Sequence, residues 1–104
     1  MAVREGLTDL RNLSGSADNV LVKARVTYEQ DLHTHRPYQK GLLWDQSMNY
    51  GDVRPFVVYD PEIRLERGKV YILNGKDHYY EKRAEVQLLL GKGAYVNELY
   101  DTES

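Results

Sequence analysis

The chain has no cysteine. That removes disulfide frameworks and thiolate zinc sites, and it fits a reducing compartment. No apolar run approaches the roughly 20 residues that a membrane-spanning helix needs. The opening MAVREGLTDL lacks the apolar stretch of a secretory signal. The expectation is a cytoplasmic protein with no membrane partner. Positive charge is not in excess either: the formal net charge is −2. A protein that coats nucleic acid through bulk charge is therefore not expected. Catalytic patterns are missing too. Ser14, Ser16 and Ser47 lack a nucleophile motif, GKGAY lacks the Walker spacing, and the carboxylates scatter over turns and strand ends. No enzyme activity and no cofactor are expected.

What the chain does have is tyrosine, with nine Tyr beside one Phe and one Trp. A tyrosine joins an apolar ring to a polar tip, which suits strands, interfaces and base stacking alike. The length of 104 residues suits one domain. Residues 1–18 read as a lead-in containing a short helical turn that Thr8 or Asp9 could cap. NVLVKARVTYE alternates, with Val20, Val22, Ala24, Val26 and Tyr28 on one side and Lys23 and Arg25 on the other, so it is a strand. QDLHTHRPYQ breaks the pattern as a long loop. KGLLWDQ and DVRPFVVYD, joined by SMNYG, form an antiparallel hairpin. Pro55 belongs at an edge or a bulge, because it cannot donate a ladder bond.

DPEIRLERG carries helix end signals: Asp60 as cap, Pro61 at the first position, Gly68 as stop. KVYILNGK is a fourth strand, DHYYEKR a polar hairpin tip and AEVQLLLG a fifth strand, and KGAYVNEL could continue or close the sheet. The domain would span residues 19–95, and residues 96–104 would be a solvated acidic tail. Strands do not alternate with long helices, which argues against a parallel α/β sheet. A five-stranded sheet of this size best hides its edges by curling into a barrel.

LTDLRNLSGSADNVLVKARV, GLLWDQ, GDVRPFVVYD and LERGKVYILNG together resemble the archaeal and eukaryotic replication protein A domains. The resemblance covers residues 6–92. It implies an all-β, five-stranded Greek-key oligonucleotide-binding (OB) barrel, with a short helix between strands three and four. It also implies single-stranded DNA binding in replication or repair. The turn DQSMNYGD is longer than the family's, and its multi-cysteine zinc insert is absent.

In that family the groove crosses strands two and three, between the loop after strand one and the loop joining strands four and five. The first flank supplies His33, His35, Arg36 and Tyr38. The second supplies Lys76, Tyr79, Tyr80, Lys82 and Arg83, with His78 among them. Strand parity places Lys40, Leu42 and Trp44 outward on strand two, and Arg54, Phe56 and Val58 outward on strand three. Lys23 and Arg25 extend the track, and the family positions make Arg54 the first choice for a phosphate or base contact. The alternatives are that Trp44 is a core residue, with Leu43 swung outward by a bulge, that Phe56 is a core residue likewise, and that Arg54 is a solvated surface charge. The HTH spacing at 33–35 is no metal site without further ligands. Stacking on exposed rings with cations on phosphates is how single strands bind such surfaces. RNA is a close variant. The rival reading is a protein-interaction subunit of a single-strand-binding complex, its apolar face buried against a partner or another OB subunit.

Overall fold

The computed structural model describes residues 6–32 and 36–100. Six strands follow a 3-10 turn at Leu10–Asn12: β1 (Val20–Asp31), β2 (Gln39–Trp44), β3 (Arg54–Val58), β4 (Val70–Tyr80), β5 (Glu85–Leu90) and β6 (Val96–Leu99). β1 is long because it serves two neighbours. Its first half pairs antiparallel with β4 and its second half with β2. β2 pairs with β3, β3 runs parallel to β5, and β5 pairs with β4, so five strands close a Greek-key ring. The switch of partner along β1 coincides with a register shift between Val26 and Tyr28, where an extra residue sharpens the twist that closure requires. Gly41 permits the tight crossing there. A Cβ on it would lie 2.7 Å from a ring carbon of Phe56 and 2.9 Å from Glu29 Cα.

The alternation in β1 does what its sequence says: Val20, Val22, Ala24 and Val26 are buried. They meet Leu43, Phe56, Val58, Leu73, Leu88 and Leu90 inside the barrel. Burying each large aliphatic or aromatic side chain contributes about 1.5–3 kcal/mol. Pro55 sits where β3 is bonded to β2 alone, one residue before pairing with β5 begins. Its missing N–H therefore costs no ladder bond.

Both barrel ends are plugged by segments outside the ring. At the end where β2 finishes, the 3-10 turn inserts the buried Leu10 and Leu13. The Leu10 N–H donates to Asp45 Oδ2 at 2.8 Å. Asp77, only 3% exposed, accepts the Ser14 and Gly15 N–H groups at 2.9 and 2.7 Å. At the end where β2 begins, Leu65 is fully buried. The Gln39 side chain holds it, donating to the Leu65 carbonyl at 2.8 Å and accepting its N–H at 3.0 Å.

This second plug corrects one expectation. No helix lies between β3 and β4; residues 60–69 make turns at 61–62 and 67–68 around a piece without regular structure. Asp60 does cap, but it caps a turn, accepting the Glu62 N–H at 2.8 Å and the Gly93 N–H at 2.9 Å. Those two donors, Gly93 the larger, hold its carboxyl below the usual aspartate range. A helical Leu65 would direct its N–H to a carbonyl four residues back; here Gln39 takes it. Two further boundaries move. The piece DHYY belongs to β4, because Asp77, His78, Tyr79 and Tyr80 pair with β5. Val96–Leu99, placed beyond the 19–95 domain but within the KGAYVNEL stretch that could continue the sheet, is β6, paired with β4 and held by an ion pair of Glu98 with Lys69 at 3.2 Å.

Candidate nucleic-acid interface

The outer face of the β2–β3 hairpin follows from its register. Gln39, Gly41 and Leu43 oppose Val58, Phe56 and Arg54; Lys40 and Leu42 oppose Val57 and Pro55. The first set points inward and the second outward. After the register shift in β1, Tyr28 stands opposite Leu42 and shares the outer face, 48% exposed. Tyr59 continues the outward parity of β3. From the other side, His78 and Tyr80 of β4 and their partners Gln87 and Glu85 of β5 close the wall.

A groove of about 570 Å³ results, lined by Tyr28, Leu42, Val57, Tyr59 and Tyr80 with Lys40 and Arg83 among others. Leu32 and Pro37 bound it where β1 passes to β2. Its floor is the hairpin, and its flanks are the β1–β2 connection and the β4–β5 hairpin. That is the location the family resemblance implies.

Several of the side chains differ from expectation. Phe56 and Val58 are fully buried and belong to the barrel interior. The outward positions of β3 are Pro55, Val57 and Tyr59 instead. Arg54 follows the inward parity but sits at the rim, where its guanidinium closes the barrel end. Nε and Nη2 donate to the Leu10 carbonyl at 3.3 and 3.0 Å, and Nη1 donates to the Val86 carbonyl at 3.5 Å. It is a staple across the lead-in rather than an open phosphate contact.

Trp44 is on the outer face as parity requires, half-buried, with its indole N–H donating to the Asn49 carbonyl at 3.1 Å. It lies beyond the groove, beside its cross-strand partner Arg25, in a separate cleft that also contains Lys23. Tyr79 has the opposite parity to Tyr80 and packs by Gly15 in the lead-in, away from the groove. Lys76 and Lys82 are exposed but do not line the groove. Arg36 is exposed, within 3.5 Å of the half-buried Tyr38 hydroxyl. His33 and His35 lie outside the described residues. Among the described residues no group of three or more His, Asp or Glu side chains is placed to hold a metal ion, and no helix is long and apolar enough to cross a membrane.

Sequence reasoning missed Tyr28, Val57 and Tyr59 as groove residues. Gly41 was the available signal. A glycine in mid-strand marks a close approach, and here a large inward ring, Phe56, stands directly opposite it.

The solution structure of the OB domain of a protein from Methanosarcina mazei superposes on this chain with a TM-score of 0.74 at 23% identity. The match covers 91% of this chain and 84% of that one. The chain has the OB fold. The ring order, the parallel β3–β5 pair and the shared first strand are those of such a barrel. No protein-family model and no curated protein matches the sequence.

Proposed function

We propose that this OB domain binds single-stranded nucleic acid along the groove over β2 and β3, without catalysing a reaction. The observation that carries this reading is convergence: three tyrosines, Tyr28, Tyr59 and Tyr80, meet Lys40 and Arg83 in one groove. Every base has a π-face, so such rings accept bases with little regard to sequence. Stacking contributes about 1–3 kcal/mol per base. Two or three stacked bases with two phosphate contacts approach the roughly 8 kcal/mol of a micromolar complex. DNA is the favoured polymer, on the resemblance to replication protein A domains, and that resemblance also supports a place in replication or repair.

The test is fluorescence anisotropy with labelled oligo(dT) and oligo(U). Tyr59→Ala and Tyr80→Ala should each weaken binding by about fivefold or more without lowering the melting temperature. Lys40 and Arg83 as the phosphate contacts predict a slope of about −1.4 for log K against log salt, from roughly −0.7 per contact. Absence of salt-sensitive binding at tens of micromolar protein would remove the proposal.

A protein-interaction role is the second reading, favoured by one feature. Among the described residues β6 is paired on one side only, and Tyr95 and Tyr100, flanking it, are 54% and 74% exposed. An open strand edge can take a partner strand. Sedimentation velocity separates the readings: self-association blocked by a proline at Asn97 favours the second, and a monomer that binds oligo(dT) favours the first.

A further inference from the structure

A second cleft, of about 510 Å³, opens beyond Leu42 on the outer surface of β1 and β2, with Thr8, Asp9, Lys23, Arg25, Trp44 and Asp45 in its walls. Trp44 and Arg25 are cross-strand partners there. The hydrogen bonds already made sort these side chains. The Trp44 N–H is engaged by the Asn49 carbonyl, so the indole offers only its ring. Asp45 Oδ2 accepts the Leu10 N–H, and Oδ1 accepts the N–H and hydroxyl of Ser47. Arg25 donates from Nη1 to the Gly68 carbonyl at 3.2 Å.

Asp9 is different. It holds the N-cap position of the 3-10 turn, where a carboxylate ordinarily accepts a backbone N–H, yet its side chain makes no cap bond. It is exposed. Lys23 is exposed as well, and among the described residues its ammonium is without an ion pair or hydrogen bond. The cleft therefore presents a free carboxylate with two acceptor oxygens, a free ammonium and an aromatic ring, beside the Arg25 nitrogens that Gly68 leaves open and the exposed Gln46 amide. Two carboxylates offset its two cations, so it is not a phosphate site by charge. It suits a flat ligand whose edge carries donors and an acceptor.

We infer that this cleft reads one base of the bound strand, and that the base is guanine. The inference rests on the single-strand-binding reading given above. The Watson–Crick edge of guanine sets two adjacent donors, N1–H and N2–H, beside one acceptor, O6. The two oxygens of Asp9 match the donors, and the Lys23 ammonium matches O6. Adenine and cytosine offer a single amine next to an acceptor nitrogen. Thymine and uracil offer one N–H between two carbonyls, which a carboxylate repels. Unstacked bases of single strands are read on such edges while stacked on aromatic rings, and Trp44 is that ring. Single strands running along the outer face of β2 pass from Lys40 and Leu42 directly to Trp44.

The experiment uses the full chain and labelled oligo(dT) of about nine nucleotides, within the roughly 4–16 that an OB domain covers. One dG, dA or dC replaces dT at each position in turn. The best dG oligomer should bind about tenfold more tightly than oligo(dT), the scale of one bidentate base contact, and dA or dC at that position should gain less. Asp9→Ala should abolish the dG advantage while leaving oligo(dT) binding equal or tighter, because a negative charge leaves the path. Asp9→Asn, of the same shape, should abolish it too, since its amide sets a donor against a donor. Lys23→Met should reduce it. A wild type with no dG preference at any position overturns the inference, and so does an Asp9→Ala variant that keeps the dG-to-dT ratio. The parent reading fails by another result: oligo(dT) binding that is absent, or indifferent to Tyr59→Ala and Tyr80→Ala.

Discussion

Arg54→Ala separates a structural staple from a ligand contact. The guanidinium donates to two main-chain carbonyls, Leu10 and Val86, which belong to the lead-in and to β5. A hydrogen bond from a charged donor contributes about 1.5–3 kcal/mol. The Leu10 contact is made through two nitrogens at 3.0 and 3.3 Å, whereas the Val86 contact is long at 3.5 Å. Arg54 is half-exposed, so water replaces part of what is lost. Together these give an expected loss of about 2–3 kcal/mol. That is a large share of the roughly 5–15 kcal/mol that holds a domain of this size. Leu10 and Leu13 cap this end of the barrel, and loosening them should expose apolar surface. The assay is urea unfolding followed by circular dichroism, paired with oligo(dT) titration of the folded variant. Stability should fall by that amount, and affinity should stay within about twofold. The opposite pattern, with stability unchanged and affinity down tenfold, would refute the assignment and return Arg54 to the ligand.

Gly41→Ala should destabilise by about 3 kcal/mol or more, above the usual range for overpacking. Its new methyl would meet the main chain of Tyr28 and Glu29 as well as the Phe56 ring; a urea midpoint near wild type would contradict the packing described. Ala84→Gly should stabilise by about 0.5–1 kcal/mol, because Ala84 closes the β4–β5 turn at φ 50°, where a side chain is strained and glycine is not. Thermal melting reads it. Asp60 has a depressed carboxyl pKa, so its contribution is present above the ordinary value of 3.8 and is lost as pH falls through the lower folded value. Asp60→Asn should therefore lose stability at neutral pH and show a shallower decline below about pH 4 than the wild type, measured by urea midpoints across pH.

Much of the fold is legible in the sequence because local signals and tertiary demand agree. β1 alternates because one of its faces is core and the other is wet. The β2–β3 hairpin announces itself by two apolar runs around SMNYG. The 60–68 segment is where they part. Asp60, Pro61 and Gly68 are real end signals, and Asp60 does cap a turn. The residues between them are too few to sustain a helix against Gln39, a distant side chain that claims both backbone groups of Leu65. No local pattern reports a partner 26 positions away. β6 is half legible: KGAYVNEL could continue the sheet, but its boundary with the acidic end cannot be read, because only the side of β4 beyond the end of β5 fixes where Val96–Leu99 pair.

The hairpin parity shows how a binding surface hides itself. DVRPFVVYD is apolar on both faces because β3 has two apolar tasks. Phe56 and Val58 fill the barrel, while Pro55, Val57 and Tyr59 floor the groove. A strand with one wet face reveals its parity through its charges; this one has a single charge to offer, Arg54. The rule that charge faces water fails at that residue, because the first position of the strand lies at the barrel rim. An inward-pointing guanidinium there finds the Leu10 and Val86 carbonyls instead of hydrocarbon. On β2 the same rule works: Lys40 is exposed on the outer face, opposite Val57. The cross-strand pair Gly41 and Phe56 settles what charge cannot. The one aromatic ring of β3 stands over the smallest residue of β2, and that fit exists on the side where β1 crosses close behind. A doubly apolar strand opposite a mid-strand glycine is thus what a small barrel with a ligand groove produces, and the face that carries the glycine is the inside.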